Sequence, residues 1–438
     1  VERSLTVVAA AAFVAAALLY SAWIPFQFVT PGADAVNGYV SELAARDQPW
    51  SGTLRLTDAL SGLACLLGTA LTPRVAAEWP GRLALALFGL FTVADSAFPL
   101  DCACTRAVYS LSHHLHSVTS TLATGAVLAS MVLLSRRWRS APAWTITVAS
   151  AAATIMTLAA VAAGAFIGTT QRIQVVLIAA WLLCLAVRLA TAGARRDTAP
   201  MRVVSEGSGP PVLLVTGVAG SWFHWDAVAG DLAADHRVIR FDRPAPQAPP
   251  TLYGEAERLA GFDGSRFTVI AHSAGAWHAE ALARLHPSRV AGLVLVDPSC
   301  EPRPRRRTSA PGRALGRWLP AWGSTWSAAA LARLLGPPVH RLLTGVRDRG
   351  GVYRSGPFLA ASMGEWLAYR DMAADLEEIR RARPWPGIPV VIITAGRANA
   401  CHEALAAEWR ARLVRVPDAG HQLPRLNPQL IAEACRSL

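Results

Sequence analysis

The sequence predicts a multi-pass α-helical membrane domain joined to an α/β domain built on a parallel sheet. Hydrophobic residues make up 53% of the 438 residues and mean hydropathy is +0.31, with the excess concentrated in the first half. Near position 200 the apolar pattern changes, from blocks of near-bilayer length to short runs of strand length. Beyond that point, residues able to do chemistry recur just after the runs.

The blocks are Leu5–Ile24, Leu54–Leu71, Leu83–Phe98, Leu115–Leu134, Trp144–Ile167 and Val175–Ala192. Each approaches or reaches the roughly 20 residues that cross a bilayer core. The second and third are short and carry Asp58 and Asp95. A soluble bundle is disfavoured because few charged residues remain to coat its outside. Residues 1–192 are therefore expected to form a six-helix transmembrane domain. The first block is read as a retained helix, not a signal peptide: its basic flank is only Arg3, and no small-x-small cleavage site precedes WIPFQF.

Arginines beside the spans set the expected orientation. With the N-terminus inside, the inner segments carry Arg3, Arg74, Arg82, Arg136, Arg137, Arg139, Arg188, Arg195, Arg196 and Arg202. The outer ones carry Arg46, Arg55, Arg106 and Arg172. An even number of spans then leaves the C-terminal half in the cytoplasm; losing one marginal span reverses this. The net charge of +12 comes with no lysine at all and an excess of Ala and Arg. That looks like codon bias, and no basic-aromatic nucleic-acid module is present, so the expected partner is a bilayer with anionic headgroups. None of the seven cysteines forms a zinc-type CxxC pair. Cys102 and Cys104 look too close for an easy mutual bridge, so no disulfide framework is expected.

A polar linker at 193–200 leads into the α/β domain, 201–438. Strand-like runs alternate with helical stretches: PVLLVTG, RVIRFDRP, RFTVIAHS, VAGLVLVDPS, IPVVIITAG and RLVRVPDAGH. Continuous apolar strands between helices indicate a parallel sheet covered on both faces. Function in such sheets sits at the carboxyl ends of the strands. Gly217, Ser273, Asp297 and His421 fall there.

A serine, an acid and a histidine in this chain order resemble the α/β-hydrolase fold. RVVSEGSGPPVLLVTG, VIRFDRP, AHSAG and PDAGHQLPRLNP, in that order, carry the resemblance over about 201–438. It implies that Ser273 is a nucleophile on a strand-to-helix elbow, where Ala271 and Gly275 supply the small neighbours such a turn needs. His421 is the implied base. The family often places its acid three residues past the glycine of IPVVIITAG, and here that position is Asn399, an amide. Asp297 is the preferred acid, with Glu403 a distant alternative and a capping role the plain reading of Asp297. The oxyanion donors are expected to be the backbone amides of Val218 and Ala274. Thr216-Gly217 stands where His-Gly is commoner. His272 is expected to point away, and His224 and His278 to be packing or surface residues. No cofactor is required.

The insertion at about 301–386 occupies the place of this fold's helical cap. Its stretch RWLPAWGSTWSAAALARLL suits either an interfacial helix or a self-packed lid. The membrane half resembles an uncharacterised family of six-span bacterial membrane domains (DUF998-like), through NGYVSELAA and FPLD…SHHLHS. That brings no activity. Asp95, Asp101, His113, His114 and His116 cluster there, as metal ligands or, in the preferred reading, as groups pairing across the bundle. The expected function is a membrane-anchored serine hydrolase, esterase- or lipase-like, acting on a small lipophilic ester. The alternatives are a catalytically silent ligand-binding sensor, or a transporter or outer-facing metal site with an accessory hydrolase.

Overall fold

The two apolar patterns fold as two compact units, Val1–Asp197 with Ser324–Ser327, and Thr198–Gly323 with Ala328–Leu438. The computed structural model describes residues 2–104, 108–191, 202–242, 250–262, 266–301, 307–396 and 399–438. The linker 193–200 and most of the basic run that opens the insertion lie outside the described residues.

The first unit holds α1 (Glu2–Tyr20), α2 (Trp23–Val29), α3 (Ser51–Leu71), α4 (Trp79–Ala97), α5 (Leu111–Trp138), α6 (Ala141–Ala163) and α7 (Ile167–Thr191). Each long helix packs on its neighbour in sequence and α7 returns to α1, which closes a ring. Phe13, Leu85, Phe88, Met131, Leu134, Trp181 and Leu182 fill its centre. Helices α3 and α4 meet on a glycine pair: a Cβ on Gly62 would stand 2.6 Å from the Gly89 carbonyl oxygen. Small residues at a crossing let backbones approach where no hydrophobic force drives association. The outside of the ring is apolar, with Leu18, Leu63, Ile155, Leu158 and Val187 exposed.

Among the described residues, five helices are long and apolar enough to cross a membrane: Ser4–Val29, Ser51–Leu71, Leu111–Trp138, Ala141–Ala163 and Ile167–Thr191. The third predicted span differs. It is helical, as α4, but Arg82 and Asp95 bracket an uncharged stretch shorter than a bilayer needs. Arg82 is buried against Glu78 at 2.9 Å.

The second unit holds β1 (Val203–Glu206), β2 (Pro211–Val215), α8 (Asp226–Leu232), β3 (Arg237–Phe241), α9 (Leu252–Ala260), β4 (Phe267–His272), α10 (Gly275–Leu285) and β5 (Val290–Val296). The insertion follows as α11 (Ala310–Gly323), α12 (Trp326–Thr344) and α13 (Gly356–Ala382). Then come β6 (Val390–Ala395), α14 (Ala400–Trp409), β7 (Arg412–Val416), α15 (Leu423–Leu426) and α16 (Pro428–Arg436). The seven-stranded sheet runs β1-β3-β2-β4-β5-β6-β7, with β1 antiparallel and the rest parallel. The period of two sends Leu213 and Val215 to one core layer, with Trp277, Met372 and Leu376. Val212 and Leu214 go to the other, with Trp225, Val228 and Ile431. Strand order reverses between β2 and β4, and such a switch point opens a crevice at the carboxyl ends.

The expectation of no disulfides is overturned. Cys102 and Cys104 are joined with Cα atoms 5.2 Å apart, and Cys300 and Cys401 with 6.1 Å. Both separations fall in the bridging range. Spacing misled in both cases. A bend folds 102 back toward 104, and the adjacent parallel strands β5 and β6 bring together residues 101 positions apart.

Candidate active site

Ser273 lies between β4 and α10 with φ of 55°, a left-handed conformation that a serine adopts only where the surroundings enforce it. Two glycines let the turn close. A Cβ on Gly275 would meet the carbonyl oxygen of Thr216 at 2.6 Å, and one on Gly217 would meet Ser273 Cβ at 2.9 Å. The Ser273 amide donates to the Val296 carbonyl, 3.1 Å, and its own carbonyl accepts from the Ser299 amide, 3.0 Å. The elbow is thus tied to β5 and the segment that follows it.

Asp297 ends β5, also with positive φ (42°). Its Oδ2 lies 2.5 Å from His421 Nδ1, while Oδ1 accepts from the Ala395 amide at 3.1 Å. Burial disfavours its charge, but the bonds from His421 and Ala395 win and hold the carboxyl below the usual range. A carboxylate on Nδ1 fixes the tautomer and leaves Nε2 as the nitrogen free for proton transfer. Asn399 instead caps α14, accepting from the Cys401 and His402 amides at 3.0 and 3.3 Å. Glu403 pairs with Arg415 at 2.6 Å. The Cys300–Cys401 bridge ties the Asp297 loop to the start of α14.

Ser273 and His421 border one cavity of about 530 Å³, together with Gly217, Val218 and Ala219. Among the described residues no hydrogen bond joins the serine to the histidine, a looseness common in such sites before substrate arrives. Neither the Val218 nor the Ala274 amide donates to a backbone carbonyl among the described residues. Both stay available to an oxyanion. Ala219 sits at φ 56°, and its carbonyl accepts from the Tyr353 hydroxyl at 2.6 Å, so the cap braces this loop. Leu331, Leu335, Val339 and Leu343 on α12 wall the cavity and remain exposed at 41%, 52%, 47% and 72%. Leu334, Leu342 and Trp366 of the cap are exposed as well, whereas Trp318, Trp322 and Trp326 are half-buried.

Sequence reasoning missed several lining residues. His272 does not point away: its Nε2 bonds the His421 carbonyl oxygen at 2.8 Å. Burial, reinforced by the His421 charge, holds its imidazole down at about 4, so it stays neutral. The signal was its place at the carboxyl end of a strand. His224 is not surface or packing; it lines the cavity and bonds His340 of the cap, Nε2 to Nε2, at 2.8 Å. His278 is buried, as expected of a packing residue. Nothing in the sequence pairs His224 with His340, because 116 residues separate them.

In the first unit the acidic and histidine cluster separates. Asp95 accepts from the Thr119 hydroxyl at 2.7 Å and lies 3.1 Å from His116 Nδ1 without a hydrogen bond to it; Asp101 accepts from the Ser110 hydroxyl and amide at 2.6 and 2.7 Å; His113 stacks on Tyr109. Among the described residues no group of three or more His, Cys, Asp or Glu is placed to hold a metal ion.

Residues 212–434 match the family model described as "Alpha/beta hydrolase family", and residues 13–188 match "Protein of unknown function (DUF998)". No curated protein matches the chain. Among solved structures, Cfl2 from Burkholderia cenocepacia is similar at 21% identity and TM-score 0.44, over 54% of this chain and 91% of that one. DBJA is similar at 20% and 0.41, over 54% and 94%. A protein from Pseudomonas aeruginosa provisionally assigned as an epoxide hydrolase is similar at 24% and 0.39, over 55% and 91%.

Proposed function

The chain belongs to the alpha/beta hydrolase family, and from that premise we propose that it is a membrane-anchored serine esterase acting on a lipophilic ester. The observation that carries the reading is Ser273, held at positive φ on the wall of a cavity it shares with the Asp297–His421 pair. His421 Nε2 takes the Ser273 proton as Oγ attacks the ester carbonyl. The oxyanion is met by the amides of Val218 and Ala274, each of which typically contributes about 100- to 1000-fold. The alcohol leaves with the proton from His421. Water, activated by the same nitrogen, then hydrolyses the acyl-enzyme and frees Ser273. A leucine-walled cavity favours an apolar acyl chain. The silent-sensor alternative rested on the amide at Asn399; the bond from Asp297 to His421 supports catalysis instead.

The test is fluorophosphonate labelling of the membrane fraction. Labelling in the wild type, lost in Ser273→Ala and His421→Ala at equal expression, supports the reading. A folded wild type that does not label overturns it.

The hydrolase unit is proposed to face the cytoplasm. Helices α5, α6 and α7 separate Arg136, Arg137, Arg139 and Arg188 from Arg172 whatever α4 does, and the richer side is the one that leads into the C-terminal half. The Cys300–Cys401 bridge pulls the other way, since disulfides persist in oxidising compartments. Labelling intact cells with a membrane-impermeant thiol reagent after mild reduction decides: reaction at Cys300 or Cys401 without lysis overturns the cytoplasmic placement.

A further inference from the structure

A hydrogen-bond relay in the wall of the cavity ends on a donor with no partner among the described residues. Ser221 caps the short helical turn Trp222–Trp225, and its backbone N–H donates to His224 Nδ1 at 3.4 Å, completing a capping box. An accepting Nδ1 bears no proton, so the proton of neutral His224 sits on Nε2. Nε2–H therefore donates to His340 Nε2, 2.8 Å away. His340 Nε2 is thus an acceptor; the Thr344 hydroxyl, 3.2 Å from the same nitrogen, gives its proton to the His340 carbonyl at 2.8 Å and does not compete for it. The proton of His340 is thereby forced onto Nδ1. That atom is buried and has no hydrogen-bond partner among the described residues, on a residue only 4% exposed that lines the cavity. Tyr353 stacks on the ring at 3.8 Å and covers one face of it. Burial disfavours a charge on both rings, holding His224 at about 4 and lowering His340 against the pull of Asp348, so neutral tautomers are the relevant ones.

We propose that His340 Nδ1–H is a specificity donor for a hydrogen-bond acceptor on the substrate, remote from the ester being cleaved. This rests on the esterase reading and narrows it: the substrate's apolar chain carries a ketone, ether or second ester oxygen. Leaving a buried donor unsatisfied carries a penalty that a plain hydrocarbon chain cannot relieve.

The test compares kcat/KM for p-nitrophenyl octanoate with octanoates bearing one ketone at successive carbons from the third to the seventh. The expected result is a preference of about tenfold or more at one position in the wild type. The ratio should collapse toward one in His340→Leu and in His224→Phe, which removes the proton that sets the tautomer. His340→Gln, which keeps a donor, should restore part of it. Because the wild-type series needs no variant, poor folding of a variant does not spare the proposal. A wild type that hydrolyses all these esters equally overturns the specificity donor and leaves the esterase standing. A wild type that hydrolyses none of them and resists fluorophosphonate overturns the esterase reading itself. A preference that survives His340→Leu assigns the contact elsewhere and also overturns the proposal.

Discussion

Each unit sets an aspartate against a histidine Nδ1 brought from a different element. In the hydrolase unit, Asp297 meets His421 Nδ1 at 2.5 Å; in the helical ring, Asp95 meets His116 Nδ1 at 3.1 Å. Their surroundings separate them. Asp297 and His421 follow parallel strands, beside a strained serine, two uncommitted amides and a cavity. Asp95 and His116 sit on adjacent helices, and the carboxylate accepts its hydrogen bond from the Thr119 hydroxyl. The comparison teaches that an acid set beside an imidazole is not by itself a device for chemistry. It becomes a catalytic device when a nucleophile and oxyanion donors converge on it.

The sharpest way to break this contrast is to disable each pair in turn and measure ester hydrolysis. Ser273→Ala should lower kcat by about 10⁴- to 10⁶-fold. His116→Gln should leave the rate within about twofold of wild type. A collapse in His116→Gln with activity kept in Ser273→Ala would move the chemistry to the ring.

Asp297→Asn should lower kcat by about 10³- to 10⁴-fold with little change in KM, through loss of the carboxylate that orients and charges the imidazole. Asn399→Ala should instead leave kcat alone and cost about 1 kcal/mol as a lost helix cap, read from thermal unfolding. The reverse pattern would restore Asn399 to the position of the family's acid.

Glycine substitutions compare the two units by packing. Gly275→Ala puts a methyl 2.6 Å from the Thr216 carbonyl oxygen, and Gly62→Ala puts one 2.6 Å from that of Gly89. Both obstacles are backbone and cannot swing aside. Each variant should be destabilised by about 1–3 kcal/mol, but only Gly275→Ala should also lose fluorophosphonate reactivity. Equal loss in both would show that the labelling assay reports global stability.

A contrast in stability alone concerns pH. His224 and His272 are each lowered from 6.5 to about 4 by burial. Below pH 6.5 the unfolded chain takes up protons that the folded one refuses. The stability of the hydrolase unit is therefore full above pH 6.5 and declines as pH falls toward 4, by at most roughly 1.4 kcal/mol per unit for each residue. Denaturant titrations of wild type and His224→Phe at pH 7 and 5 check this: the variant should lose less. Equal losses would mean that His224 protonates as freely in the folded protein as in the unfolded chain.

The sequence by itself determined what depends on local order and period. Apolar blocks announced the helices of the first half, alternating runs the sheet, and small residues around Ser273 the elbow. The positions of Asp297 and His421 after β5 and β7 were readable because strand ends can be counted along the chain. The fate of Asn399, the Cys300–Cys401 bridge and the His224–His340 relay could not be read that way. Each depends on which strands and cap helices become neighbours, over separations of 101 and 116 residues for the latter two. Periodicity says which face of an element is apolar; only the packed sheet and cap decide which polar atoms on different elements meet, and which one is left with a proton and no partner.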